Sequence, residues 1–269
     1  MSVIFKILHL RLTTIVLDCY SSNILERLAN FDKWTEEQIY EATGHPVRHE
    51  VRRLDGKPLG ENAPAYTVRN ANVATLGAQL ATDEIVLIDF GESFYHHERP
   101  AEITTPAPSA APEIVFGTEI TPAIDKWAFA CILYELAADH SLLKMIFGWF
   151  NDTLKDQVAM LGKPPENVWK QWEGRNKYFH EDGTPKEAEG RRLKVHPDTL
   201  EHRVRNIGKH PTERSYEAPG DTAEPLSRDL QSLYDLLKSL LVYEPELRAS
   251  FDQVEAHPFF SAGGETSVL

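Results

Sequence analysis

A mainly α-helical fold with a few short strands around residue 89 is what this sequence predicts, and three observations predict it. Residues 121–138 (TPAIDKWAFACILYELAA) are apolar on nearly every helical face, the pattern of a helix at the centre of a core. Leu226, Leu230, Leu233, Leu237, Leu240 and Leu241 recur three or four apart on one stripe, the pattern of an amphipathic helix. Ile85-Val86-Leu87-Ile88 is a short run of buried-strand character that delivers Asp89 into a turn at Phe90-Gly91. With 269 residues, 42% of them apolar and 26% charged, the chain can bury a sizeable core in one large domain or two modest ones.

Along the chain, residues 3–17 are apolar at a spacing a helix accommodates, yet their β-branched content suits a strand, and both stay open. Residues 18–24 (DCYSSNI) form a loop. Thr35 is the expected N-cap of a short helix over 35–42, with acids in its first turn. Residues 44–72 carry Gly, Pro, Asn and mixed charge, which predicts an irregular connection within a longer insert over 24–84. Residues 99–112 (RPAEITTPAPSAAP) hold prolines at 100, 106, 108 and 112. Each proline removes a donor and fixes φ, so an extended surface loop is expected. Pro122 enters the first turn of the apolar helix. Helices follow over 141–161 and 165–173, then a polar, mostly loop insert over 180–225 with a short helix near 198–206. Pro245 lies just beyond the leucine stripe. Ser250-Phe251-Asp252-Gln253 is a capping box that opens a short helix stopping at Pro258, and residues 261–269 predict a disordered tail.

The formal net charge of -13 argues against nucleic acid as the main partner, since phosphate binding needs clustered Lys and Arg. It permits a basic peptide partner. Cys19 and Cys131 have no metal-type spacing and imply no disulfide framework, which points to a reducing, intracellular location, cytoplasmic or nuclear. The apolar start is broken by Lys6, His9 and Arg11, so no run approaches the roughly 20 residues of a membrane span, and a soluble amphipathic segment fits better. The 11 histidines show no ligand spacing.

Chemistry is suggested by acids in a particular order. Asp89 leaves an apolar strand, and Gly91 lets the chain turn sharply behind it. An acid so placed holds a metal or merely ends a strand, and this motif alone does not decide. Upstream, Asp18 and Asn23 stand five apart in one loop. Downstream, Ala111-Pro112-Glu113 closes the Pro-rich stretch, Asp125 opens the apolar helix two residues before Trp127, and Arg248 follows the amphipathic helix.

The resulting order, D-x4-N, D-F-G, A-P-E, D-x-W and Arg, resembles the C-terminal lobe of the α+β eukaryotic protein kinase fold, over nearly the whole of residues 1–260. The stretch WTEEQIYEATGHPVRHEVRRLDGKPL, with IDFGESF and APEIVFG, is similar more particularly to the SR-protein kinase-like group, especially its fungal members. The resemblance implies a serine/threonine kinase using ATP and Mg²⁺ on basic, arginine/serine-rich protein substrates. Phosphoryl transfer requires positioning and charge neutralisation rather than covalent chemistry. By resemblance, Asp18 accepts the proton of the substrate hydroxyl, Asn23 and Asp89 ligate Mg²⁺, and Phe90 and Gly91 complete the turn beside the nucleotide. Hard oxygen donors of this kind suit Mg²⁺. Two implied pairings are structural. Glu113 meets Arg248 in a buried ion pair that pins the end of the activation segment. Asp125 caps the central helix and accepts backbone donors from the catalytic loop. Ser93, Thr104, Thr105 and Ser109 lie in that activation segment.

The chain also departs from the kinase pattern. Val16-Leu17-Asp18 stands where His-Arg-Asp is usual, and Tyr20 stands where a lysine usually neutralises the γ-phosphate. The abrupt apolar start looks like the last turns of the helix before a catalytic loop. The 269 residues hold no Gly-rich loop and no strand lysine paired with a helix glutamate, so ATP would lie on an open shelf where water screens the charges. A truncated or inactive kinase-like scaffold that binds basic peptides is the competing expectation. Chance motifs in an unrelated helical protein would leave Glu113 and Arg248 far apart. The 269-residue polypeptide is predicted to transfer little or no radiolabelled phosphate from Mg-ATP to an arginine/serine-rich peptide; robust turnover would contradict this.

Overall fold

The computed structural model describes residues 14–15, 20–29, 31–71, 73, 77, 80–95, 98, 103, 105–144, 150–186, 198–209 and 224–261. Its elements in chain order are β1 (Thr14–Ile15), β2 (Ile24–Leu28), α1 (Glu36–Thr43), β3 (Arg48–Glu50), β4 (Tyr66–Val68), β5 (Ala81–Leu87), β6 (Phe94–Tyr95), α2 (Pro112–Phe116), α3 (Ala123–Ala138), α4 (Phe150–Leu161), α5 (Glu166–Gln171), α6 (Leu200–Arg205), α7 (Arg228–Leu240), α8 (Phe251–Glu255) and α9 (Pro258–Ser261). Helix dominates, and the strands form three short pairs, β1 with β6, β2 with β5 and β3 with β4. Two compact units result. One is Leu25–Val86; the larger takes the described residues up to Ile24 and from Leu87 onward.

In the larger unit α3 is the central element, with eleven of its sixteen residues buried. A helix without a polar stripe is stable only when protein surrounds it. Cys131, within α3, has its thiol pKa pushed up to about 12 by burial, which makes it inert as a nucleophile. α7 lays Leu233, Leu236, Leu237 and Leu240 into the same core. Ser227 starts α7 by accepting the Leu230 N–H on its hydroxyl at 3.3 Å. The capping box at Ser250 and Gln253 opens α8. Pro258 does more than stop that helix: it begins α9, which buries Phe259 and Phe260.

A second cluster joins α4 and α5 to the following loop through Leu154, Val158, Trp169, Trp172 and Phe179. The Trp172 indole donates to Asn151 Oδ1 at 2.7 Å, which satisfies its polar edge inside the cluster. Arg203 on α6 is buried and grips Asp156 of α4 with both terminal nitrogens, at 2.9 and 2.8 Å. The same guanidinium reaches the backbone carbonyls of Leu142 and Asp198. This network ties α4 to α6 across 47 residues of sequence.

The smaller unit is ordered by local devices. Thr35 and Gln38 form a full capping box at the start of α1. β3 and β4 pair antiparallel, with Arg48 opposite Val68 and Glu50 opposite Tyr66. β2 and β5 also run antiparallel, since the Ala29 N–H donates to the Leu80 carbonyl while Arg27 pairs with Glu84 further along.

Several expectations give way to the structure. Residues 44–72 are not an irregular connection throughout, because they contain the β3–β4 ribbon; the period-2 pattern is too short there to stand out. Residues 18–24 end in a 3₁₀ turn, Ser21–Asn23, and β2 begins at Ile24. The 85–88 run lies largely in a strand, but its residues are only half-buried and Ile88 is exposed. Residues 141–144 are not helical; α4 begins at Phe150. Of the surface loop expected over 99–112, the described end turns inward, burying Ser109, Ala110, Ala111 and Pro112, because small side chains let the backbone approach α3 and α4 closely; residues 99–102 and 104 lie outside the described residues. Most of the 3–17 segment and of the 261–269 tail lies outside the described residues. Among the described residues no helix is long and apolar enough to cross a membrane.

Leu237 is fully buried, whereas Leu247 is 65% exposed. Leu237→Ala is expected to lower stability by about 2–5 kcal/mol in urea denaturation. Leu247→Ala is expected to stay within about 0.5 kcal/mol of the parent.

Candidate functional site

In the larger unit the Ile88 N–H donates to the Asn23 carbonyl at 3.0 Å. This bond places Asn23 one register step from Asp89. Asn23 sits in the 3₁₀ turn, with its N–H on the Tyr20 carbonyl at 2.9 Å and its side chain buried. Beneath the turn, Ile24 and Leu87 pack on Ala128 and Ile132 of α3. The central helix is therefore the floor on which the two distant segments that carry Asn23 and Asp89 are paired.

Asp89 adopts φ +63°, the left-handed region that costs most side chains free energy and that Asp tolerates better than most. The chain then turns, closed by the Ser93 N–H on the Phe90 carbonyl at 3.0 Å. A Cβ placed on Gly91 would touch Asp89 Oδ1 at 3.5 Å, so the carboxylate lies back over the glycine. Phe90 is 47% exposed. Beyond the turn, β6 pairs with β1, Thr14 opposite Tyr95 and Ile15 opposite Phe94. Asp18, three positions past Ile15, lies outside the described residues.

Among the described residues no group of three or more His, Cys, Asp and Glu is placed to cage a metal. An amide oxygen and one carboxylate are a small share of a coordination shell. That share suits Mg²⁺, which keeps several waters and takes phosphate oxygens, and does not suit Zn²⁺ or a caged Ca²⁺.

Glu113 and Arg248, 135 residues apart, are joined by two parallel bonds of 2.7 Å and are both buried. The guanidinium N–H groups also reach the carbonyls of Ala123 at 2.9 Å, Val242 at 2.9 Å and Tyr243 at 3.5 Å. The cation also lies over the Trp127 ring, 5.3 Å from its centroid. Asp125, expected to cap α3, stands inside its first turn instead; Pro122 occupies the N-cap, and the Thr121 hydroxyl accepts the Ala123 N–H at 3.3 Å. A threonine one residue ahead of the proline is the nearest side chain that can do so. The catalytic-loop donors expected for Asp125 would fall on residues 16–19, which lie outside the described set.

Three further residues of this region carry no local sequence signal. Lys126 donates to the Arg248 carbonyl at 3.4 Å, and burial, then the neighbouring Arg248 charge, push its pKa down. Gln157 of α4 is fully buried and bonds to the Ala110 carbonyl, while Asp156 beside it holds Arg203. The partners named here lie 47 or more residues away, so only the folded chain reveals them.

Residues 78–260 match the protein kinase domain family. Among curated proteins, the chain is similar to a dual specificity protein kinase YAK1 homolog of Arabidopsis thaliana, 28% identical over 212 residues, covering 69% of this chain and 22% of the relative. It is similar to the serine/threonine-protein kinase AFC1 of Arabidopsis thaliana, 27% identical over 185 residues, covering 68% and 37%. A longer alignment reaches the dual specificity protein kinase CLK2 of Mus musculus, 23% identical over 261 residues, covering 90% and 48%. The chain thus spans less than half the length of each. Asp89, Phe90, Gly91, Glu113, Asp125 and Arg248 fall inside the family match; Asp18 and Asn23 precede it.

Removing one partner of a buried ion pair strands the other charge. Glu113→Ala or Arg248→Ala is expected to lower stability by about 3–5 kcal/mol in chemical denaturation, and the double substitution by clearly less than the sum of the two. Losses that add would contradict a direct pair.

Proposed function

The chain belongs to the protein kinase domain family, and from that premise we propose that residues 1–260 form the large lobe of a serine/threonine kinase of the SR-protein kinase-like kind, acting inside the cell on basic, arginine/serine-rich proteins with ATP and Mg²⁺. The observation that supports the reading is the Ile88–Asn23 backbone bond, one residue before Asp89, with the flanking Ile24 and Leu87 packed on α3.

In this reading Asn23 and Asp89 hold the ion through an amide and a carboxylate oxygen. Mg²⁺ held there would supply positive charge to offset that developing on the transferred phosphoryl group. Asp18 accepts the acceptor hydroxyl's proton and aims its oxygen in line. Gly91 leaves room for the Asp89 carboxylate to lie back over the turn, and Glu113 with Arg248 anchors the far end of the segment that begins there. An acceptor peptide would lie against the described end of that segment, residues 105–113. The formal charge of -13 favours a basic acceptor.

A scaffold that binds basic peptides without transferring phosphate is the second reading, favoured by two departures from the usual catalytic loop, Leu17 before Asp18 and Tyr20 after it. A thermal-shift titration separates the two. At a hundredfold excess over Kd, binding adds about 2.7 kcal/mol, which raises the midpoint by several degrees. Stabilisation is expected only with Mg²⁺ and ATP together, and is expected to vanish in Asp89→Asn, a change that keeps a side chain tolerant of positive φ and removes only the charge. No shift in the parent protein, with peptide binding intact, would replace the kinase reading with the scaffold.

A further inference from the structure

Gln157 is a polar side chain with no exposed surface, and none of the roles above uses it. A side chain kept only for packing at such a place is ordinarily apolar, because a buried amide must find partners for its donors and its acceptor. Its Nε2 donates to the Ala110 carbonyl at 3.0 Å. Its Oε1 meets no donor among the described residues. A buried amide that makes one hydrogen bond of the four it could make is held there for that bond.

That bond falls at a telling place. The other bonds around Ala110 are short-range: Ser109 N–H to Pro106 O at 3.0 Å, Ser109 Oγ–H to the same oxygen at 3.1 Å, and Ala110 N–H to Ala107 O at 3.3 Å. They shape a 3₁₀ turn over Ala107–Ser109 but do not determine where the turn sits. Pro106, Pro108 and Pro112 have no N–H with which to bond a neighbouring element. Among the described residues two long-range hydrogen-bonded attachments locate the stretch, Gln157 at Ala110 and Arg248 at Glu113. The base of the first is stiff. Asp156, the neighbour of Gln157 on α4, is gripped at both oxygens by the buried Arg203. Positional precision needs such a supporting layer.

We propose that Gln157 is the positioning residue for the backbone of residues 105–111, holding it in the place an acceptor polypeptide requires; this rests on the phosphotransferase reading. Arg248 fixes the end of the segment, and Gln157 fixes the stretch just before it.

Two substitutions in the 269-residue protein test this. Gln157→Met preserves length and volume without a donor, and Gln157→Glu preserves shape with no donor while ionised. In both, amide hydrogen exchange over residues 105–114 is expected to quicken about tenfold while that of α7 is unchanged. Affinity for a labelled arginine/serine-rich peptide, followed by fluorescence anisotropy, is expected to fall about tenfold, with any Mg-ATP thermal shift retained. On acidification the Gln157→Glu variant regains a donor as its carboxyl takes up a proton, and is expected to recover peptide affinity relative to the parent at the same pH; Gln157→Met is not. Packing alone would give no such recovery. Unchanged exchange over 105–114, faster exchange throughout the chain, or a loosened segment with unaltered peptide affinity would each overturn the proposal. A parent protein that binds no peptide overturns the acceptor half of it, whereas loss of the Mg-ATP shift alone counts against the kinase reading and leaves the exchange result to judge Gln157.

Discussion

The Arg248 guanidinium is the constraint around which the larger unit is arranged. A buried cation is tolerated only when its N–H groups find acceptors in good geometry. Arg248 meets that demand with both oxygens of Glu113 and with the carbonyls of Ala123, Val242 and Tyr243. Three stretches of chain must therefore converge on one point: the first turn of α2, the first turn of α3 and the loop after α7. The first and the last of these supply acceptors that their own secondary structure leaves available, and Ala123 accepts on a second lone pair. Glu113 lies in the first turn of a short helix, and Val242 and Tyr243 follow the last turn of another.

The same helix that receives Arg248 also carries the candidate site. Ala123 and Trp127 face the cation, while Ala128 and Ile132 lie under Ile24 and Leu87. From Ala123 to Ala128 the helix rises about 7.5 Å at about 1.5 Å per residue. A rigid, largely embedded rod thus sets the spacing between the Ile88–Asn23 backbone bond and the anchor at Glu113. The segment between them starts beside the middle of this rod and ends at its first turn, with Gln157 bonding it on the way. α3 is apolar on nearly all sides because it must support contacts in many directions at once.

The smaller unit is built differently. Its order comes from a capping box, from ion pairs such as Arg53 with Asp55 at 2.6 Å, and from Arg48 stacked 4.6 Å over the Tyr66 ring. None of its residues whose burial is described is buried. Two-stranded ribbons and single short helices draw little stability from burial, so polar local contacts carry more of the order there. The same feature hid β3 and β4 from a reading based on hydrophobic periodicity.

How much was legible follows from how local each cause is. The leucine stripe of α7, the capping boxes at Thr35 and Ser250, the all-apolar α3 and the order of acids from Asp89 to Arg248 are written within a few residues of where they act, and periodicity or motif spacing reads them directly. The inward course of residues 106–112, the Thr121 hydroxyl bond ahead of the Pro122 N-cap where Asp125 was expected to cap, the Arg203–Asp156 network and the Gln157 hold on Ala110 were not legible. In the first, proline signalled an exposed loop, but small side chains allowed burial. In the others, the decisive partner lies on another element or depends on a turn whose geometry no spacing rule specifies. The sequence by itself determined which helices form and which charged residues must find partners, because helix periodicity and the cost of a buried charge are local properties. Only the tertiary structure decided which partners meet, because a buried hydrogen bond between residues 47 or 135 positions apart depends on where the whole chain brings them.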